Sequence, residues 1–73
     1  MYDYSKLCGK ICEKFGTQEA FSTKLGISST TLSYKLNNKA QWTQGEMCKA
    51  VELLGETKTK IPAYFFTKKV QLK

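Results

Sequence analysis

Ser29, Thr30, Ser33, Tyr34 and Asn37 fall close together in the run GISSTTLSYKLNN, residues 26–38. Eight of its side chains end in a hydroxyl or an amide, and only Lys35 carries a charge. Such groups do no acid–base or nucleophilic work by themselves. They are small donors and acceptors suited to reading the hydrogen-bond pattern of another molecule. An Asn amide bonds adenine bidentately, Ser and Thr hydroxyls pair with several bases, and a Thr methyl packs on the methyl of thymine. The plainer alternative is a solvated helix, but solvated helices usually alternate Lys and Glu, which support helicity.

The remaining residues argue against catalysis. The chain has no histidine, and its acids Asp3, Glu13, Glu19, Glu46, Glu52 and Glu56 are scattered rather than paired. No nucleophile sits in a recognisable pair, so we expect no enzyme. Cys8, Cys12 and Cys48 form no CxxC motif, and without histidine they make a poor zinc site. They read as small, reduced core residues of a cytoplasmic protein, with no metal and no cofactor. No apolar run approaches the roughly 20 residues of a membrane span, and no signal peptide is visible.

A chain of 73 residues makes one small domain with a thin core, which leaves little room for a small-molecule site. Its net charge of +6 comes from twelve lysines against six acids, with no arginine. A basic balance in a small domain favours a polyanion such as nucleic acid, or an anionic membrane surface. Arginine's bidentate contact to guanine is absent, so readout would rest on hydroxyls, amides and methyls, with lysines on phosphates.

Five short helices must position these groups. Over residues 4–15, Leu7, Cys8, Ile11 and Phe15 repeat at helical spacing, and Gly16 provides the stop. Thr17 caps a second helix, residues 17–25, with Ala20, Phe21 and Leu25 inward and Gly26 ending it. Ser28 caps a third that ends at Asn37 or Asn38, with Leu32 and Leu36 marking its inner edge. On a helical wheel Thr30, Tyr34 and Asn37 then point outward, and Ser29 and Ser33 flank them. The pattern Thr43-x-x-Glu46 is a capping box, opening a fourth helix that carries Met47, Ala50, Val51 and Leu54 on one side. Residues 56–60 read as a polar connector, and Ile61, Tyr64 and Phe65 as the inner face of a last helix. The two helices joined by Gly26-Ile27-Ser28 have the construction of a helix-turn-helix, whose second helix enters the DNA major groove. The fold expected is therefore an all-α compact bundle containing a helix-turn-helix over residues 1–66, followed by a basic tail, residues 67–73.

At TQEAFSTKLGISSTTLSYKLNNK, residues 17–39, the chain resembles the Cro and repressor class of phage helix-turn-helix proteins, also called xenobiotic-response-element-type regulators. Gln18, Phe21, Leu25, the turn Gly26-Ile27-Ser28, Leu32 and Asn37 carry the likeness, and TQGEMCKAVELLG is similar to the fourth helix of that family. Ser22 stands where Ala is common, Lys35 where an apolar residue is usual, and Asn38 where Gly is usual. The resemblance implies a lambda-repressor-like domain that regulates transcription from the cytoplasm of a bacterial host. It implies base contacts from Ser29, Thr30, Ser33, Tyr34 and Asn37. Phosphate contacts would come from Thr17, Gln18, Ser28, Lys39 and Thr43.

One such module reaches few base pairs, so the partner expected is double-stranded operator DNA bound by a homodimer on a near-palindrome. Candidate interface residues are Tyr64, Phe65, Phe66, Val70 and Leu72. The rival expectation is a protein-interaction module on the same fold, an antirepressor or an antitoxin.

Overall fold

Glycines with positive φ, Gly16 at 80° and Gly26 at 89°, stop the first two helices where the spacing requires. The structure is a computed structural model, and it describes residues 1–68. Five helices run in order: α1 (Ser5–Phe15), α2 (Gln18–Leu25), α3 (Ser29–Leu36), α4 (Gln44–Leu53) and α5 (Ile61–Phe65). Among the described residues there is no strand, only an isolated antiparallel bridge between Tyr2 and Lys68. The fold is thus the small all-α bundle expected. The polar connector holds more order than its composition suggests, since Lys58–Lys60 form a 3-10 turn leading into α5. Pro62 sits in the first turn of α5, where its missing N–H leaves nothing unmade.

Side-chain caps start the three middle helices. The Thr17 hydroxyl accepts from the Ala20 N–H at 3.1 Å, and that of Ser28 from Thr31 at 3.1 Å. At α4 the capping box closes both ways: Thr43 N–H donates to Glu46 Oε1 at 2.9 Å, and Glu46 N–H to Thr43 Oγ1 at 3.2 Å. Each such cap stabilises its helix by about 1 kcal/mol.

Leu7, Ile11, Phe21, Leu32, Ala50, Val51, Leu54 and Phe65 form the sealed centre, with Tyr4, Leu25 and Trp42 closing its rim. Aromatic edges meet faces in it: Phe15 and Phe21 at 5.2 Å, Trp42 and Phe65 at 4.8 Å. The indole Nε1 of Trp42 is buried without a hydrogen-bond partner among the described residues.

Several sequence expectations need correction. Ala20 is exposed, and Ser22 takes the inner position. A serine is tolerated there because its hydroxyl donates to the Glu19 carbonyl at 2.8 Å. Cys12 is exposed and Cys8 and Cys48 are half-buried, so only Cys8 packs against the core, and all three are unbridged. Phe65 is 1 % exposed and closes its own core, so it is not available to an interface. Phe66 remains 48 % exposed, and Tyr64 is half-buried with its hydroxyl donating to Glu56 at 3.3 Å. Val70 and Leu72 lie outside the described residues.

The inner edge of α3 holds more than its two leucines. Leu32 is buried, Leu36 is half-buried, and Lys35 is buried with 6 % exposure. Its ammonium donates to the Gln41 carbonyl at 2.8 Å, meets Glu46 Oε1 at 2.9 Å and stands 5.8 Å from the Trp42 ring centre. A cation in place of an apolar residue therefore ties α3 to the cap of α4 and fixes the roll of α3.

Candidate recognition surface

The turn Gly26-Ile27-Ser28 sets how α3 leaves α2. Two N–H groups, those of Gly26 and Ile27, converge on the Ser22 carbonyl at 2.9 and 3.0 Å, which ends α2 abruptly. Ile27 tucks against the core, and Ser28 starts the next helix. A Cβ placed on Gly26 would lie 3.8 Å from Lys49 Nζ, so the α4 ammonium sits over this turn.

From there α3 turns its polar side to solvent. Ser29, Thr30, Tyr34 and Asn37 are exposed and Ser33 is half-buried. The Tyr34 ring is 51 % exposed, with Lys39 Nζ 6.0 Å from its centre. These residues and Lys39 form one continuous surface along α3 and its end. Not all of its donors face outward. The Asn37 amide nitrogen donates back to the Ser33 carbonyl at 2.8 Å. Ser28 Oγ donates to Thr31 Oγ1 at 2.8 Å as well as capping the helix. Ser29, Thr30 and Tyr34 keep the outward hydroxyls.

Of the residues expected on phosphates, Thr17 and Gln18 stand exposed at the start of α2, Thr43 at the start of α4, and Lys39 just beyond α3. The hydroxyls of Thr17, Ser28 and Thr43 are occupied as helix caps. Glu19 lies in the first turn of α2 and sets a negative charge beside the amides that an anion would seek.

Charge is unevenly shared along the chain. Residues 17–55, which build α2 to α4, hold Lys24, Lys35, Lys39 and Lys49 against Glu19, Glu46 and Glu52, a net side-chain charge of +1. Lys35 and Glu46 cancel each other inside. The pull of burial on the Glu46 carboxyl, which is upward, is outweighed by hydrogen bonds from Lys35 and Thr43, and its pKa ends below the usual glutamate value. Residues 1–16 and 56–68 hold Lys6, Lys10, Lys14, Lys58, Lys60 and Lys68 against Asp3, Glu13 and Glu56, a net of +3.

One residue that composition did not single out anchors the surface from behind. Asn38, with φ of 63°, receives the Tyr2 N–H on Oδ1 at 2.9 Å and donates Nδ2 to the Tyr2 carbonyl at 2.9 Å. Its amide pairs with the N-terminal segment as a neighbouring strand would. Asp3 N–H donates in turn to the Thr67 carbonyl at 2.7 Å, so both ends of the described chain meet at the foot of α3. The sequence signal available was an Asn where a helix must close.

The chain belongs to the family described as "Protein of unknown function (DUF739)", which matches residues 1–68. No curated protein matches it. Among solved structures it is similar to the modulator of repression (MOR) of the temperate bacteriophage TP901-1 from Lactococcus lactis, determined in solution. The two are 50 % identical over 96 % of this chain and 95 % of that one, with a TM-score of 0.79.

Proposed function

We propose that this protein is a phage regulator that modulates repression, and that the exposed side of α3 is the surface through which it acts on a repressor protein. The observation that carries this reading is the makeup of that side. It presents Ser29, Thr30 and a half-exposed Tyr34, while the α2–α4 segment around it has a net charge of only +1. A surface that grips a duplex through phosphates needs more cation than this. A segment with so little net charge and an exposed aromatic ring suits a protein partner, where tyrosine is enriched among the energetically dominant residues. The likeness to a protein described as a modulator of repression, rather than as a repressor, supports the same partner.

A second reading has α3 entering the major groove of operator DNA as the second helix of a helix-turn-helix, with the chain as a dimer. It is favoured by the tight Gly26-Ile27-Ser28 turn and by the outward Thr30 and Ser29 hydroxyls. The two readings separate when binding to the repressor of the same phage and to its operator duplex are measured side by side. Tyr34→Ala should weaken repressor binding by more than tenfold and leave the unfolding temperature unchanged. Sequence-specific operator binding that is lost in Thr30→Ala and Tyr34→Ala would instead establish the second reading. Unchanged binding to both targets in these variants would overturn both.

A further inference from the structure

The charge that α2–α4 lacks is concentrated elsewhere. α1 packs on α5, and α5 on the 3-10 turn Lys58–Lys60, so the first and last parts of the chain form one side of the bundle. Lys6, Lys10 and Lys14 follow one another at four-residue spacing along α1, one turn apart each time. Lys10 links this row to the turn through Glu56, at 3.2 Å, and it also meets Glu13 at 3.5 Å. Glu56 feels Lys60 as well. The acids on this side, Asp3, Glu13 and Glu56, leave three lysines of the six in excess. Lys6, Lys14, Lys58, Lys60 and Lys68 form no ion pair among the described residues, and Lys6, Lys14, Lys58 and Lys60 are exposed. None of these lysines lies on α3. Among the described residues, three of the four net positive charges therefore lie on the α1–α5 side and one on the segment that carries the reading groups.

We propose that the α1–α5 side, through its exposed Lys14, Lys58 and Lys60, binds the phosphate backbone of duplex DNA without regard to sequence, leaving α3 open to a protein partner. The inference rests on the reading of α3 given above, because a regulator that meets a repressor at its operator works beside duplex DNA. Backbone binding needs only distributed cations, and lysine supplies them as point charges without base readout. Such a contact keeps the protein on DNA near its partner and raises the local concentration at which α3 acts. It would also explain why the chain carries no arginine, since nothing on this side has to read guanine.

The test uses the full chain and a fluorescein-labelled 20-base-pair duplex of arbitrary sequence, with anisotropy read at 50 and 200 mM salt. Contacts from about four lysines predict a loss of affinity on the order of 100-fold between those salt concentrations. The triple variant Lys14→Gln/Lys58→Gln/Lys60→Gln should bind at least tenfold more weakly at 50 mM salt, and its log–log salt slope should fall by about three. Circular dichroism confirms that the variant is folded, since all three side chains are exposed. Tyr34→Ala should leave the duplex affinity unchanged. Backbone amide shifts on adding the duplex should cluster on residues 10–14 and 58–60.

No binding at 50 mM salt overturns the proposal. So does binding that survives the triple variant and fails in Tyr34→Ala, and so does a preference for phosphatidylserine vesicles over the duplex. Repressor binding, measured separately on the same variants, tells a failure of this surface from a failure of the α3 reading: the triple variant should retain it, and Tyr34→Ala should not.

Discussion

Lys35 gives the sharpest test of how α3 is held. Glu46→Gln keeps the size of the side chain and its acceptor for the Thr43 N–H, but it takes away the countercharge of an ammonium that is 6 % exposed. The Gln41 carbonyl, at 2.8 Å, is then the main partner left to that charge. Removing one member of a fully buried pair costs about 3–5 kcal/mol. Because the Glu46 side chain keeps 22 % of its exposure, water offsets part of this, and we expect about 2 kcal/mol. In a domain of this size that lowers the unfolding temperature by about 8–16 °C.

Lys35→Met removes the buried charge and keeps the length of the side chain. Glu46 is left with solvent and its Thr43 contact, so this variant should stay within about 1 kcal/mol of the parent. The double variant should regain most of what Glu46→Gln loses. Urea and thermal unfolding at pH 7 measure the three proteins, and Trp42 fluorescence reports on the ring beside Lys35. The pH dependence has a definite sign. The folded Glu46 carboxyl titrates below its unfolded value, so its contribution is complete above the ordinary glutamate range and is lost as pH falls through the folded value. Lys35→Met should shrink that loss on the acid side. If Lys35→Met proves as damaging as Glu46→Gln, or if Glu46→Gln changes stability by less than about 0.5 kcal/mol, the ammonium does not hold α3 in the way described.

Two further outcomes follow from the same packing. Gly26→Ala forces a side chain into φ of 89° and should destabilise by about 1–2 kcal/mol in urea unfolding, even though the nearest atom, Lys49 Nζ, is 3.8 Å from the new Cβ. Phe65→Ala should cost about 3–5 kcal/mol by opening the centre of the core. Phe66→Ala should change stability far less, and in sedimentation it should shift the chain toward monomer if that exposed ring joins two copies.

The parts of the fold that were legible in the sequence are those decided within four residues. Thr17, Ser28 and Thr43 each accept an N–H three positions on, and Gly16 and Gly26 break the helices they follow, so local chemistry alone locates these boundaries. The outward position of Thr30 and Tyr34 followed from the wheel because α3 is short and regular. Lys35 stands where the resemblance has an apolar residue, but what its ammonium pairs with was not legible, because that partner, Glu46, is eleven residues away. The Asn38–Tyr2 pairing spans 36 residues and has no periodic signature at all. Ser22 and Ala20 exchanged their expected positions because hydrophobicity ranks the methyl above the hydroxyl, while the backbone carbonyl of Glu19 satisfies that hydroxyl inside the bundle. Whole-chain charge likewise hid the difference between the two sides. A count taken segment by segment exposes it, but its meaning needed the knowledge that α1 and α5 are neighbours.

The amide of Asn38 grips both the backbone N–H and the backbone carbonyl of Tyr2, only one position in from Met1. Met1 itself is 79 % exposed and lies beside that grip. A purification handle or fluorescent label fused ahead of Met1 is thus mechanically continuous with α3, the helix proposed to carry the contact surface. Moving or crowding the first two residues tugs on the closing turn of α3, and an apparent loss of binding in such a fusion can originate at the attachment point rather than in any residue of the contact surface.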